Sequence, residues 1–500
     1  MDKSSNYHDV SESRFGGGED GQELEERESL EQGMSPKELA VSHGYNYEYG
    51  DVPDEDDYDG STLLNENSLK RSQPMDTRTA FTTKSGEKIP YIYVVGKTFH
   101  PTLEFQLRKD FQASLYWFTY RSNFPEIKPY GITSDAGWGC MLRSAQMLLA
   151  HTLRVHFKSR NWKPPKSLAN CRSDAFIVRL LTWFADFSSK SESVYSLHNM
   201  VAAGFAKYET LPGEWYGPGT ACYVLRDLVT LHNQFQPSLF RVYVASEGTI
   251  YRDAVRTLMT TESKKRAEER KNKQQSSVEP PTPLHPLDIS LPPSPVDEDE
   301  QLEWDTALLI LIPLRLGLNN FNETYRNIFA RTFWLPQSVG VLGGRPRAAR
   351  WFFGAYADGA SVLGLDPHTV QTAPERSSDY DEVKAAKDKD GTYTTIDLSD
   401  EYMQSVHTNY PEVYPINRMD PSIALGFYCR DKKEFTEFQL GVKQLKMNLT
   451  CPDLFTIVDK TPNYSSADAV GNMMEGDLSL GDDMPDDDGG DFDDDDYVLL

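Results

Sequence analysis

The uneven distribution of charge along the chain is the feature that most limits how much of it can fold. Residues 1–80 and 475–500 are strongly acidic and poor in large apolar side chains, and together they carry essentially the whole net charge of −25 of this 500-residue chain. Such segments cannot bury enough apolar surface to offset the conformational entropy that is lost on ordering. We therefore predict an acidic disordered arm over 1–80, an acidic disordered tail over 475–500, and a folded domain over 81–474.

Two further segments interrupt the predicted domain. Residues 261–304 combine the charged run KKRAEERKNK with seven prolines, a composition typical of a disordered insert. Residues 373–392 predict a charged loop. The remaining residues of 81–474 are close to electrical balance and rich in aromatic and aliphatic side chains, so we expect the fold to be built from them.

Several functional classes are excluded by composition. The acidic balance argues against binding of nucleic acid, because phosphates require basic surfaces. The longest apolar run, Ala307–Leu314, has eight residues, whereas a membrane-spanning helix needs roughly 20. The five cysteines are an odd number and widely spaced, which is typical of a reducing compartment rather than of a disulfide framework. We expect a cytoplasmic protein.

Local patterns predict the elements around a candidate site. After Asp135, apolar residues at spacings of three and four predict a buried-face helix that begins at Cys140. They are Leu142, Ala145, Leu149 and Leu153. The segment IPYIYVV, near Ile89, predicts a strand by its branched and aromatic residues. TALLILIPLRLGL predicts a strand buried on both faces. RWFFGAY, the Asp358-Gly359 turn and SVLGL predict a β-hairpin that ends at Asp366.

Cys140 is a candidate nucleophile because of its place at a helix start. Unpaired backbone N–H groups and the helix dipole stabilise a thiolate there. Gly137 and Gly139 flank Trp138 just before it, so a substrate backbone can approach the sulfur closely. The alternative is that Cys140 is a small buried core residue, which is the commoner role of a cysteine.

A thiolate nucleophile needs a base, and ten histidines are available. His151 and His156 share the predicted helix with Cys140 but lie roughly 16 and 24 Å along it. The arm and the proline-rich insert hold three more, which leaves His100, His198, His232, His368 and His407. Of these, His368 alone has a carboxylate placed to orient its ring, since Asp366 lies two residues earlier in an extended segment. The alternative is that Asp-Pro-His is only a turn after a strand.

Metal and phosphate chemistry find little support in the sequence. No C-x-x-C pair or H-E-x-x-H helix occurs, so no metal site is predicted. GGGEDG at 16–21 follows no predicted strand, and the Gly343-Gly344-Arg345-Pro346 turn is better interpreted as a flexible loop near the site. No cofactor is expected.

The segment YGITSDAGWGCMLRSAQ around Cys140 resembles the signature of the autophagins, the autophagy-related cysteine proteases. Further segments resemble the family in family order over roughly residues 89–460: FTYRSNFP, EWYGPGT, LIPLRLGLNNFNETY, LPQSVGVLGGRP, LGLDPHTVQ and DPSIALGFYC. The resemblance implies an α+β, papain-like fold with a central, mostly antiparallel sheet flanked by helices. The sequence departs from the family pattern in its acidic ends, in its proline-rich insert, and at Arg350-Trp351, where an aromatic residue or histidine is commoner.

The resemblance also implies roles for particular residues. Cys140, Asp366 and His368 match the catalytic triad, and Tyr120 matches the tyrosine that helps the Cys140 backbone amide bind the oxyanion. Trp138 lies in the substrate groove, while Trp215 and the loop Leu342–Pro346, with Gly343, Gly344, Arg345 and Pro346, cover the groove and open for the substrate tail.

The implied substrate is a ubiquitin-like autophagy modifier. The implied reaction cuts its precursor after a near-terminal glycine and later releases the modifier from phosphatidylethanolamine. Peripheral contact with membranes that carry the lipidated modifier is implied as well, and we expect a monomer. At the extreme C-terminus, four aspartates precede Tyr497-Val498-Leu499-Leu500, in which Tyr497 and Leu500 resemble a modifier-interacting motif that adds a strand to a partner sheet. The alternative for this segment is an inert solvated tail.

Two functions from other classes remain open at this point. One is a catalytically inactive adaptor that only binds the modifier. The other is an acyltransferase that uses the same triad, because hydrolysis and transfer share the acyl-enzyme and differ in the acceptor.

Overall fold

The computed structural model describes residues 80–83, 86, 88–187, 192–236, 239–260, 304–345, 347–374, 398–408 and 410–462. The described residues from 88 to 462 belong to one compact unit. The predictions for the acidic arm, for the acidic tail with Tyr497 and Leu500, for the proline-rich insert, and for most of the charged loop fall outside the described residues. Two end residues are exceptions: Ala80 of the predicted arm lies in β1, and Trp304 of the predicted insert packs against the core. Pro346 also falls outside the described residues.

Helices and strands are mixed along the described part of the chain. The α-helices are α1 (Phe105–Gln112), α2 (Cys140–Phe157), α3 (Leu168–Ser173), α4 (Ala175–Phe184), α5 (Leu197–Tyr208), α6 (Pro218–Phe235), α7 (Arg326–Thr332), α8 (Asp400–Gln404) and α9 (Lys432–Leu445). Residues 252–260 are also helical. The strands are β1 (Ala80–Thr82), β2 (Lys88–Pro90), β3 (Ile92–Val94), β4 (Lys97–Phe99), β5 (Tyr120–Ile127), β6 (Ile132–Ser134), β7 (Arg241–Val244), β8 (Thr249–Tyr251), β9 (Leu308–Arg315), β10 (Ser338–Arg345), β11 (Ala348–Tyr356), β12 (Ser361–Leu365), β13 (Val370–Thr372), β14 (Glu412–Pro415), β15 (Ser422–Cys429) and β16 (Thr456–Val458).

A nine-stranded sheet forms the centre of the unit. Its strand order is β14-β12-β11-β10-β15-β9-β7, with β3 paired to β11 and β4 paired to β3. The pairings are antiparallel except for β7 with β9. A smaller sheet of order β13-β5-β6 lies beside the site, and β13 pairs with β5 in parallel. The prediction of a mostly antiparallel central sheet flanked by helices is confirmed.

The central sheet is buried on both faces, and β9 shows why its sequence is an unbroken apolar run. Alternate side chains of a strand point to opposite faces. Leu309 and Leu311 pack in one core with α2, whereas Leu308, Ile310 and Ile312 pack in a second core with residues of α7 and α9. The continuous hydrophobicity of TALLILIPLRLGL is therefore the signature of a strand between two helical layers.

Helix α2 runs beneath the central sheet and carries Cys140 at its first position. It packs against β10, β11 and α6, and nearly all of its residues are buried. The predicted apolar stripe of Leu142, Ala145, Leu149 and Leu153 is confirmed, and the helix extends to Phe157.

The predicted strand at IPYIYVV is divided into β2 and β3 at Tyr91, and the predicted hairpin before Asp366 is confirmed as β11 and β12. Among the described residues, no helix is both long enough and apolar enough to cross a membrane.

Candidate active site

The turn that precedes Cys140 is fixed by a buried ion pair. Asp135 accepts a hydrogen bond from Nε of Arg143 at 2.7 Å, and Arg143 also contacts Asp186 at 2.9 Å. All three side chains are at most 2% exposed. The second oxygen of Asp135 accepts the backbone N–H of Arg121 at 2.6 Å, which ties the turn to β5. The start of α2 is thereby held in one position relative to β5.

The glycines around Trp138 are required by this turn. Gly137 has φ +87°, a conformation that side chains disfavour. A Cβ at Gly139 would lie 2.3 Å from a carboxylate oxygen of Asp135. The N–H groups of Trp138 and Gly139 both donate to the carbonyl of Asp135, at 3.2 and 2.9 Å. The glycines thus permit the chain path that delivers Cys140 to the helix start.

Asp366 and His368 follow the end of β12, which belongs to the same sheet that packs on α2. The backbone N–H of His368 donates to Oδ1 of Asp366 at 3.0 Å, and Nδ1 of His368 bonds to the same oxygen. The indole N–H of Trp117 donates to the carbonyl oxygen of Asp366 at 2.7 Å. The carbonyl of Pro367 accepts the N–H of Tyr120 at 2.9 Å. Hydrogen bonds from Trp117 and Tyr120 therefore hold the backbone of the Asp-Pro-His segment in place.

The structure brings Cys140 and His368 together, and each shifts the pKa of the other. Burial raises the pKa of the Cys140 thiol, but hydrogen bonding to His368, to the Ala349 backbone and to Tyr120 outweighs it, so the net pKa lies below its ordinary value. Burial lowers the pKa of His368, but Asp366 and Cys140 raise it to about 9. These opposite shifts favour a thiolate–imidazolium pair.

The pKa of Asp366 is held below its ordinary value. Burial acts to raise this pKa. Hydrogen bonds from His368 and the positive charge of Arg350 lower it by more than burial raises it. Asp366 therefore stays ionised where the imidazolium is present, which is the state that stabilises the proton on His368.

Tyr120 begins β5 beside the site. Its ring meets the His368 ring edge-on, with centroids 5.4 Å apart. The pKa of Tyr120 is raised, first by burial and then by the nearby Cys140 thiol. Its buried hydroxyl has no well-aligned hydrogen-bond partner among the described residues. The Tyr120 hydroxyl therefore lies beside the Cys140 thiol.

The start of β11 lies against the Cys140 thiol. Cys140 is fully buried, the backbone of Ala349 bonds to its thiol, and Nε2 of His368 lies 3.3 Å from the carbonyl oxygen of Arg347. The sulfur is therefore closed off from solvent in this conformation.

The prediction of a flexible loop at Leu342–Pro346 needs correction for Leu342–Arg345. Leu342–Arg345 are the end of strand β10, paired with Trp351, Arg350, Ala349 and Ala348 of β11. The N–H of Asp420 donates to the carbonyl of Gly344 at 2.6 Å, and Ile423 and Met419 pack around Gly343. Glycine occurs at position 344 for a reason other than loop flexibility: Gly344 has φ +132° and lies close to the Ala348 backbone.

Trp138 and Trp215 are both partly buried and pack against the same core cluster. The indole N–H of Trp138 donates to the carbonyl of Ser134 at 3.1 Å, whereas that of Trp215 has no partner among the described residues.

The competing histidines are committed elsewhere. Nδ1 of His232 bonds to the hydroxyl of Tyr195 at 2.8 Å, and His407 lies against the carbonyl of Leu115 at 3.2 Å. His198 contacts the carbonyl of Pro125, and His100 accepts from the N–H of Leu103 at 3.1 Å. No group of three or more potential metal ligands lies together in the described part of the chain.

Sequence reasoning missed three contributors to the site. Trp117 holds the backbone of Asp366, and Ala349 contacts the thiol. Arg350 contacts Oδ2 of Asp366 at 2.9 Å; the only sequence signal for it was its departure from the family pattern.

The chain is similar to a group of known proteases. A family model described as the peptidase C54 catalytic domain matches residues 105–440. Cysteine protease ATG4B of Xenopus laevis is 32% identical over 398 residues, which are 79% of this chain and 90% of that protein. ATG4B of Gallus gallus is 32% identical over 362 residues, 72% of this chain and 82% of that protein. Cysteine protease ATG4A of Homo sapiens is 32% identical over 387 residues, 75% of this chain and 83% of that protein.

Proposed function

Because the chain belongs to the peptidase C54 family, the autophagins, and is therefore a cysteine protease of autophagy, we propose that it cleaves precursors of a ubiquitin-like autophagy modifier after a C-terminal glycine. We propose further that it releases the modifier from phosphatidylethanolamine by hydrolysing the same glycine carbonyl linkage. The observation that carries the proposal is the arrangement of three side chains: the Cys140 thiol bonds to the His368 ring, and Nδ1 of that ring bonds to Asp366.

Cys140 acts as the nucleophile. Its Sγ attacks the glycine carbonyl carbon, and the oxyanion that forms accepts hydrogen bonds from the Cys140 backbone N–H and from the Tyr120 hydroxyl. The backbone N–H is available because the first N–H groups of a helix have no partner within it. Tyr120 supports this role with a buried hydroxyl that has no well-aligned partner among the described residues.

His368 carries the proton between the two halves of the reaction. Its imidazolium donates to the leaving nitrogen, the C–N bond breaks, and a thioester between Cys140 and the modifier remains. The neutral imidazole then removes a proton from water, which attacks the thioester and returns the free thiolate. Asp366 keeps the proton on Nδ1 and stabilises the imidazolium.

Access to the thiol requires the β10–β11 turn to move. The burial of Cys140 beneath Ala349, the second residue of β11, supports movement of this turn together with the start of β11. Gly343, Gly344 and Arg345 border this turn at the end of β10, and Trp138 and Trp215 border the path of the substrate tail.

The remaining features concern partners. The modifier is the substrate, and Tyr497 and Leu500 bind a second surface of it. This second contact keeps the enzyme at a membrane that carries lipid-bound modifier. The enzyme works in the cytoplasm, as a monomer in peripheral contact with membranes.

The test is a cleavage assay in which the product mass is measured. Wild-type enzyme is expected to yield a modifier that ends in a glycine carboxylate, whereas Cys140→Ala yields none. Cys222→Ala is the matched control, because Cys222 is equally buried but lies within α6. Undiminished cleavage by Cys140→Ala would end the assignment of the nucleophile. A product that carries an added amine instead of a carboxylate would identify an acyltransferase, and binding without any cleavage by the wild type would identify an adaptor.

A further inference from the structure

Arg350 lies between two carboxylates at the edge of the proposed triad. Its Nη2 is 2.9 Å from Oδ2 of Asp366 and 3.3 Å from Oε1 of Glu412, and its Nε donates to Oε2 of Glu412. The Arg350 side chain is only 12% exposed, whereas the two carboxylates are about one third exposed. Nη2 of Arg350 is thus shared between the carboxylates of Asp366 and Glu412.

The contacts divide the two oxygens of Asp366 between two partners. Oδ1 accepts the backbone N–H and Nδ1 of His368, and Oδ2 accepts Nη2 of Arg350. A carboxylate can rotate about its Cβ–Cγ bond, and this torsion has broad, shallow minima. The contact at Oδ2 removes that freedom and keeps Oδ1 directed at the imidazole.

Arg350 is itself held from three directions. Glu412 begins β14 and lies opposite Gly364 of β12. The ring of Tyr414, on the same strand, lies under the guanidinium with its centroid 5.1 Å away. Nη1 donates to the carbonyl of Ala348 at 2.8 Å, one residue before the Ala349 backbone that contacts the Cys140 thiol. A planar guanidinium suits this bridge, because it can bind two carboxylates and stack on a ring at once.

We infer that Arg350 is a positioning residue for the proposed triad: it holds Oδ2 of Asp366 so that Oδ1 stays on His368, and Glu412 holds Arg350. The inference rests on the proposed roles of Cys140, His368 and Asp366. It does not depend on the identity of the substrate.

The charged groups around Asp366 decide how a variant behaves. His368 faces it from its own segment, Arg350 from β11 and Glu412 from β14, while Cys140 on α2 and Tyr120 on β5 act through His368. Replacing Arg350 with a neutral residue removes the cation next to Asp366 and leaves the negative charge of Glu412 beside it. Both changes raise the pKa of Asp366, so protonation should disable the triad at a higher pH.

The experiment compares Arg350→Gln, Arg350→Lys, Glu412→Gln and the double variant Arg350→Gln/Glu412→Gln with the wild type. Arg326→Gln is the matched control, since Arg326 makes an exposed 3.7 Å pair with Glu323. Two quantities are measured across pH: kcat/KM for precursor cleavage, and the thiolate absorbance of Cys140, taken as the difference between each enzyme and its Cys140→Ala counterpart.

Arg350→Gln should lower kcat/KM by roughly 10- to 100-fold, the size of effect that loss of an orienting partner has at metal-ligating histidines. It should also move the acid limb of the profile to higher pH. Lysine can pair with only one carboxylate at a time, so Arg350→Lys should recover part of the loss. Adding Glu412→Gln to Arg350→Gln should return the acid limb partway towards the wild type without restoring kcat, because the neighbouring charge is gone but Asp366 is still free to rotate.

Wild-type kcat/KM and an unmoved acid limb in Arg350→Gln would overturn the inference. An unchanged pH profile, together with an equal fall of kcat/KM in Arg350→Gln and Arg326→Gln, would also overturn it, because lower stability alone would explain such a result. Failure of the proposed substrate is distinguishable: wild-type enzyme would then leave the precursor intact, while the thiolate titration would still shift between wild type and Arg350→Gln.

Discussion

Replacing Arg143 with methionine should destabilise the protein strongly and loosen the start of α2. Arg143 is 2% exposed and neutralises Asp135 and Asp186, which are equally buried. Methionine fills a similar volume without charge, so both carboxylates would lose their cation in a region of low dielectric. Removing one partner of a buried ion pair typically costs about 3–5 kcal/mol. With a denaturant slope of about 3 kcal/mol per molar urea, the unfolding midpoint should fall by about 1–2 M.

The assay is urea unfolding followed by tryptophan fluorescence under reducing conditions, with Arg326→Met as the control. That control removes an exposed pair and should cost at most about 1 kcal/mol. The pKa of Asp135 is raised by burial and held down by Arg143, so without Arg143 it should rise further. When the pKa of a carboxyl is higher in the folded than in the unfolded state, the folded protein is stabilised at low pH, and this stabilisation is lost as the pH rises through the folded-state pKa. The deficit of Arg143→Met should therefore be smaller at pH 5 than at pH 7.5, and a deficit equal to that of Arg326→Met, or one that grows on acidification, would refute the reasoning.

Three further outcomes are expected. Asp366→Asn should lower kcat by up to roughly 10⁴-fold, because asparagine favours the wrong tautomer of His368; a change below about threefold in a cleavage assay would remove Asp366 from the triad. The alkaline limb of kcat/KM should lie near pH 9, where the His368 imidazolium loses its proton; constant activity to pH 10 would argue against that proton donor. Deleting residues 493–500 should slow release of lipid-bound modifier more than cleavage of soluble precursor, because tethering raises the effective concentration; equal rates on both substrates after deletion would discard the motif.

The elements that carry the site could be predicted because their patterns are strong and local. The helix at Cys140, the two-sided strand β9 and the hairpin before Asp366 each have a periodicity or turn signal that tertiary packing reinforces. Helix geometry removed His151 and His156, and the spacing of Asp366 and His368 in an extended segment made the pair a candidate, which the family resemblance then favoured. These inferences needed no knowledge of which elements meet in space.

What the sequence could not supply depends on contacts between distant segments. Arg350 and Glu412 lie 62 residues apart and meet only because β12 joins β11 to β14. Gly343 and Gly344 predicted a loop by composition, yet pairing with β11 overrides that local preference. The covering of Cys140 by Ala349 likewise follows from the sheet, and nothing in the residues near Ala349 indicates it.

The most direct test of the central claim, that Cys140 and His368 form a thiolate–imidazolium pair, is a pH titration of thiolate absorbance in the wild type, with Cys140→Ala subtracted. The thiol should titrate below its ordinary range, as its lowered pKa requires, and the same titration in His368→Ala should move to higher pH. A Cys140 thiol that titrates at or above the ordinary value of about 8.5, or one that is indifferent to the loss of His368, would contradict the claim.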